Sequence, residues 1–207
     1  MTTTMKTIRE WFRTTLPSKH GMVELIGSSF YADEPTIFGE PNEDYIMREI
    51  DWYLGQSLNV KDIPGTVPQI WLDVSGDHGE INSNYGYLLF NEGNGEQYTN
   101  VLEELKKPGS RRAVAIYTRP HIHDEFSSFG MNDFICTNAV NYYSRNGYLH
   151  SVVQMRSNDV VYGYRNDWAW QQFVVQKLCD ELDLKQGSMI WQAGSLHVYP
   201  RHFHLLA

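Results

Sequence analysis

A chain of 207 residues fits one domain or one large α/β unit. Its 42% apolar and 14% aromatic content supplies a real core, while a net charge of −8 excludes broad electrostatic attraction to nucleic acid. The two cysteines, Cys136 and Cys179, exclude a disulfide framework and a paired zinc spacing.

The amino-terminal stretch MTTTMKTIREWF lacks the apolar run of a signal peptide, and no later segment has the apolar length of a membrane span. A cytoplasmic protein of a reducing compartment is the expectation. Residues 5–16 predict an amphipathic helix, with Ile8, Trp11, Phe12 and Leu16 near helical spacing. VELIGSSF, 23–30, predicts a strand. Pro41-Asn42 opens a helix through Gln56, with Ile46, Glu49, Ile50, Tyr53 and Leu54 on one side. A carboxylate on that apolar side is out of place. Pro68 starts a short helix containing Trp71, and a helix over 97–107 ends at Pro108-Gly109. AVAIYTR, 113–119, predicts a strand. Residues 134–144 and 148–156 predict a hairpin about Asn146-Gly147. A helix is expected from Asp167 to Leu184 with Gly187 just past it, then a strand over 189–199. Without a regular βαβ alternation, the class expected is α+β.

Several residues carry candidate chemistry, and each has a plainer use. Cys136, in FICTN, is either a small buried hydrophobe or a nucleophile, the latter if a cation lowers its pKa. Arg156, on the partner strand of the same hairpin, is the expected cation. Cys179 lies among Phe173, Val175 and Leu182 and reads as core. Arg111 and Arg112 serve either charge pairing at a helix end or a phosphate fork, and Arg156-Ser157 repeats the phosphate-suited chemistry. Asp167 is either a helix N-cap or a reader of a base edge. HIHDE, 121–125, reads as a solvated loop rather than a metal site. Neither HExxH nor paired CxxC occurs, nor a phosphate-cradling glycine motif.

Taken together, the ordered blocks ADEPTIFGEPNEDYIMREIDWY, KDIPG, GEINSNYGY, SRRAVAIYTRP, MNDFICTN, MRSNDVVYGYRNDWAWQ and GSLHVYPRHF are far more specific than any one motif. From about residue 23 onward the chain resembles the thymidylate synthase superfamily, and within it the cytosine-specific bacteriophage branch. The resemblance implies a single α+β domain over 1–207, a mixed sheet packed with helices, and a sheet-mediated homodimer. It implies transfer of a one-carbon unit from 5,10-methylenetetrahydrofolate to C5 of dCMP, then water addition, giving 5-hydroxymethyl-dCMP for phage DNA. It also implies the cytoplasm of an infected bacterium. A hydride in place of water, giving a C5 methyltransferase, and a nucleotide-binding homologue of weak activity are the alternatives.

The roles it implies are specific. Cys136 matches the nucleophile and Glu49 the acid that manages protons and ordered water. Arg156 and Ser157 match the phosphate-binding pair, and Arg111 and Arg112 the pair that reaches the other subunit's phosphate. His197 and Tyr199 match the residues on the sugar hydroxyl, and Asp159 the aspartate on the pterin. Trp71 and Tyr85 fall in segments lining the folate and catalytic pocket. Lys19 is the stand-in for an amino-terminal basic residue. Asp167, in YRND, stands where uracil enzymes carry Asn in PFN. An amide offers the donor and acceptor pair that suits uracil, whereas a carboxyl accepts from the cytosine amine. The family's tail beyond the LHVY strand is expected to be missing.

Overall fold

The computed structural model describes residues 2–19 and 21–206. Its centre is one mixed sheet of β1 (Val23–Tyr31), β2 (Val114–Ile116), β3 (Thr137–Arg145), β4 (Tyr148–Asp159) and β5 (Lys185–Val198). The order is β1-β5-β4-β3-β2, parallel only between β4 and β5. A parallel pair needs a long crossover. The 21-residue helix Tyr162–Leu182 supplies it. The hairpin between β3 and β4 turns at Asn146 and Gly147, both with positive φ (52° and 80°), as a tight two-residue turn demands.

Helices cover one face of the sheet. They are α1 (Met5–Thr14), α2 (Glu43–Leu54), α3 (Gln69–Val74), α4 (Tyr85–Phe90), α5 (Gln97–Leu105), α6 (Ile122–Glu125) and α7, the crossover helix. The core between the layers includes Phe12, Trp52, Tyr53, Leu88, Leu89, Val140, Val153, Trp170 and Trp191. On the other face Asn141, Tyr143, Val152, Gln154, Ile190 and Gln192 are only half-buried.

Several elements differ from expectation. Leu54, expected inward, is 43% exposed; the buried stripe of α2 is Tyr45, Glu49, Trp52 and Tyr53. The strand expected over 113–119 shortens to three residues because Tyr117 and Thr118 both turn their N–H groups to Asn138 O. The HIHDE segment is not a loop but the short helix α6, anchored by buried Ile122. Gly187 does not follow a helix end. It lies inside β5, where a Cβ would come within 2.6 Å of His150 Nδ1. Asp183, in the left-handed region, terminates α7. Asp167 is not an N-cap either. It is the sixth residue of α7. The carboxyl that satisfies the helix start is Asp159, whose Oδ2 accepts from the N–H groups of Tyr162 and Gly163 at 2.7 and 3.3 Å.

Candidate active site

Cys136 stands one residue ahead of β3, not within it, beside an irregularity between Thr137 and Ala139 that breaks the strand's alternation. A bulge of this kind re-aims the neighbouring side chain. Arg156 lies directly across: its N–H donates to Cys136 O at 2.9 Å and its Nη2 lies 3.6 Å from Sγ. The guanidinium is fixed by Ile135 O (3.0 Å) and Phe134 O (2.6 Å) and packs 4.7 Å over the Phe134 ring. Burial pushes the thiol up to about 12, against the pull of Arg156. The expected activation by arginine is therefore correct in direction but outweighed by desolvation.

Two carboxyl groups share this interior. Glu49 projects from the buried stripe of α2. Tyr45 donates its hydroxyl to Oε1, and Trp71 Nε1 donates to the Tyr45 oxygen at 2.8 Å and to Oε1 at 3.2 Å. Burial raises Glu49 to about 7, although both hydrogen bonds favour its charged form. Asp167, on α7, is raised to about 8, first by burial and then by the charge of Glu49. It accepts from Asn158 Nδ2 at 2.7 Å and from Tyr85. The charge of Asp167 in turn disfavours the Cys136 thiolate. Cys136, Glu49, Asp167, Trp71 and Tyr85 thus come together from five segments of the chain.

Asp159 ends β4 opposite His197 of β5. Its Oδ1 is buried and without a hydrogen-bond partner. His197 is buried and lies edge-on to Tyr199, with ring centroids 5.0 Å apart. Ser157 sits in register with Ser195, two residues from His197. Arg111 and Arg112 do not join this cluster. They precede β2, whose residues pair with Ala139, Val140 and Asn141 of β3, and Arg112 bonds Glu104 at 2.9 Å. At ~3.3 Å per strand residue they stand roughly 20 Å along the sheet from Cys136. Lys19 is exposed at the turn between α1 and β1.

Sequence patterning did not single out Tyr45, Asn158 or Asp133. Asp133 accepts from Asn82 N, Ser83 N and Ser83 Oγ at 2.6 to 2.8 Å and so pins the loop that leads to Cys136. The only signal for Tyr45 was its place one helical turn before Glu49. Two surface hollows, one beside Phe12, Arg13 and Phe203 and the other beside Tyr31, Gln186 and Ser188, contain none of these groups. Among the described residues no His, Cys, Asp and Glu cluster has metal-binding geometry.

A mixed sheet with a thiol at the mouth of its central hairpin is the architecture of a known fold. The crystal structure of thymidylate synthase from T4 phage matches with a TM-score of 0.73 over 97% of this chain and 77% of that one, at 22% identity. The thymidylate synthase family model matches residues 42–207. The chain belongs to the thymidylate synthase family. Proteins named deoxycytidylate 5-hydroxymethyltransferase from Enterobacteria phages T4, T2 and T6 are each 52% identical to it over 192 residues, spanning 89% of this chain and 78% of the relative. The thymidylate synthase of Buchnera aphidicola is 27% identical over 172 residues, 77% of this chain and 61% of that protein.

Proposed function

We propose that the protein is a deoxycytidylate 5-hydroxymethyltransferase: it adds a one-carbon unit to C5 of dCMP and completes the reaction with water. Half-identity to the phage enzymes of that name supports the activity. The observation that carries the base assignment is Asp167, a half-buried carboxyl whose surroundings raise it to about 8. At neutral pH it holds a proton. It then meets the cytosine edge by accepting from the 4-amine and sharing that proton with N3.

Cys136 is the nucleophile: as a thiolate its Sγ bonds to C6 and pushes electron density onto C5, which takes the new carbon and gives up its proton, and Sγ leaves from C6 as the ring double bond is restored and water adds to that carbon. Arg156 is the group beside it that favours the thiolate. With Asp167 neutral against the base, a charge that opposes the thiolate is removed as well. Glu49, at about 7, is present in both protonation states near neutral pH. It suits the group that holds a water and takes its proton as the oxygen joins the new carbon. Arg156 and Ser157 receive the phosphate, with Lys19 as a further basic contact, and His197 and Tyr199 the sugar hydroxyl.

Enzymes of this family use 5,10-methylenetetrahydrofolate, which supplies carbon at the oxidation level of formaldehyde. The residues here fit such a donor. The unpartnered Oδ1 of Asp159 asks for an N–H of the kind a pterin carries, and Trp71 and Tyr85 offer aromatic surface near Glu49 and Asp167. The active form is a homodimer in which Arg111 and Arg112 complete the partner's phosphate site. With a net charge of −8, nucleic acid is not a partner; the product enters phage DNA as a nucleotide made in the host cytoplasm. The test is incubation with dCMP and methylenetetrahydrofolate and identification of the product by mass. Hydroxymethyl-dCMP supports the reading; methyl-dCMP with dihydrofolate would replace it with hydride transfer.

A further inference from the structure

Asp167 ends a buried hydrogen-bond chain that begins at an indole. Trp191, fully buried on β5, donates Nε1–H to Asn158 Oδ1 at 3.2 Å. Asn158, 3% exposed on β4, donates Nδ2–H to Asp167 Oδ2 at 2.7 Å. An indole nitrogen can only donate. It therefore takes the carbonyl end of the amide and leaves the NH₂ end for the carboxyl. Gly163 on α7 leaves room for this arrangement, since a Cβ there would lie 3.2 Å from Asn158 Nδ2.

The chain bears on a problem of symmetry. A neutral carboxyl has one donor and one acceptor, but either oxygen can hold the proton. The cytosine edge offers an amine donor at position 4 and an acceptor at N3. The uracil edge offers the reverse. A carboxyl free to place its proton on either oxygen fits both bases and selects neither. Resting on the reading that Asp167 meets the base edge, we propose that Asn158 is the positioning residue that makes Asp167 cytosine-selective. Its Nδ2–H commits Oδ2 to accepting, so Oδ2 also receives the 4-amine and the shared proton lies between Oδ1 and N3. Trp191 sets the direction of the whole chain. The other groups facing Asp167 do not set it. Glu49 from α2 and Asp159 from β4 act on it through charge, while Tyr53 from α2 and Cys136 from before β3 are held neutral beside it, each raised by its burial and by the charge of Asp167. The Tyr85 hydroxyl from α4 donates to the carboxylate, but as a rotor it can turn to accept once the carboxyl carries its proton, so it does not fix which oxygen holds that proton.

The test compares kcat/KM for dCMP and dUMP across pH in wild type, Asn158→Leu, Trp191→Phe, Asp167→Asn and the double variant Asn158→Leu, Asp167→Asn. Asn158→Leu should lower the dCMP:dUMP ratio about tenfold, the worth of one buried hydrogen bond to a charged or acidic group. It should also move the alkaline limb for dCMP to higher pH, because Asp167 loses a donor that favours its carboxylate. Trp191→Phe keeps the aromatic bulk and releases the amide, so the ratio should fall in the same direction; it decides the matter if Asn158→Leu does not fold by circular dichroism. In the Asp167→Asn background Asn158→Leu should leave the ratio where it was. Equal losses on both nucleotides with an unmoved limb would reduce Asn158 to a structural residue and overturn the proposal. An unchanged ratio in Asp167→Asn itself would overturn the base assignment beneath it; a shifted ratio there, with none in Asn158→Leu or Trp191→Phe, would overturn this proposal alone.

Discussion

Cys136 sits between opposing influences, burial and two aspartates on one side and Arg156 on the other, and burial prevails in the free chain. Cys136→Ser should abolish turnover while nucleotide binding, measured by calorimetry, survives, since a hydroxyl is a far poorer nucleophile near neutral pH. Cys179→Ser should keep the chemistry, because Cys179 is packed in the core on α7. Residual turnover in Cys136→Ser equal to wild type would end its role. The carboxyls make a second prediction. Asp167 stands at about 8 in the fold against an ordinary 3.8, and Glu49 at about 7 against 4.5. Between those limits the folded chain binds more protons than the unfolded one, so stability falls as pH rises from about 4 to about 8. Asp167→Asn removes one of the two groups. Relative to wild type it should gain at most about 5 kcal/mol between pH 4 and pH 8, the full worth of the shift before solvent screening, or roughly 10–20 °C in Tm. Thermal melts at the two pH values check this; a constant difference would mean that Asp167 ionises in the fold as easily as in water.

The elements that carry these residues were unevenly legible. The paired start signals at Asn42 and the Asn146-Gly147 turn announced α2 and the hairpin, because caps and tight turns are local chemistry. The start of α7 was misplaced. Asn166-Asp167 has the composition of a cap, whereas the cap position falls to Val161 and the carboxyl that satisfies the helix start, Asp159, lies in the preceding strand and acts from three residues away. Glu49 was conspicuous as a carboxylate on an apolar face, but Asn158 was not, since an asparagine in a strand declares nothing until Trp191 and Asp167 are brought to it by the sheet and the crossover helix. α4 escaped notice because six residues are too few to show a period. Its contact with α2 depends on Gly86, where a Cβ would fall 1.7 Å from Tyr53 O. Gly86→Ala must push α4 away from α2, which carries Glu49. The expected cost is about 3 kcal/mol, at the upper end for overpacking, read as a lowered urea midpoint. A midpoint equal to wild type would show that the two helices separate freely.

At the scale of the molecule the question is where the phosphate charge goes. An acidic chain binds an anion only where arginines gather, and one protomer gathers few of them: Arg156 is beside Cys136, while Arg111 and Arg112 stand far along the sheet, before β2. The half-buried sheet face of Asn141, Tyr143, Val152, Gln154, Ile190 and Gln192 is a surface through which a two-fold partner could bring its own pair into reach. Complementation tests this directly. A chain with Arg111→Ala and Arg112→Ala retains Cys136, and a Cys136→Ser chain retains the arginines. Each homodimer should be nearly inactive. In a heterodimer one site regains both parts and the other loses both. Random exchange of equal amounts makes half the dimers mixed, so about a quarter of the wild-type sites should return. Activity assayed after mixing and re-equilibration gives the number. No recovery in chains shown to exchange, or full activity in a monomer, would place the arginine pair outside the phosphate site and return it to the charge pairing that Arg112 already makes with Glu104.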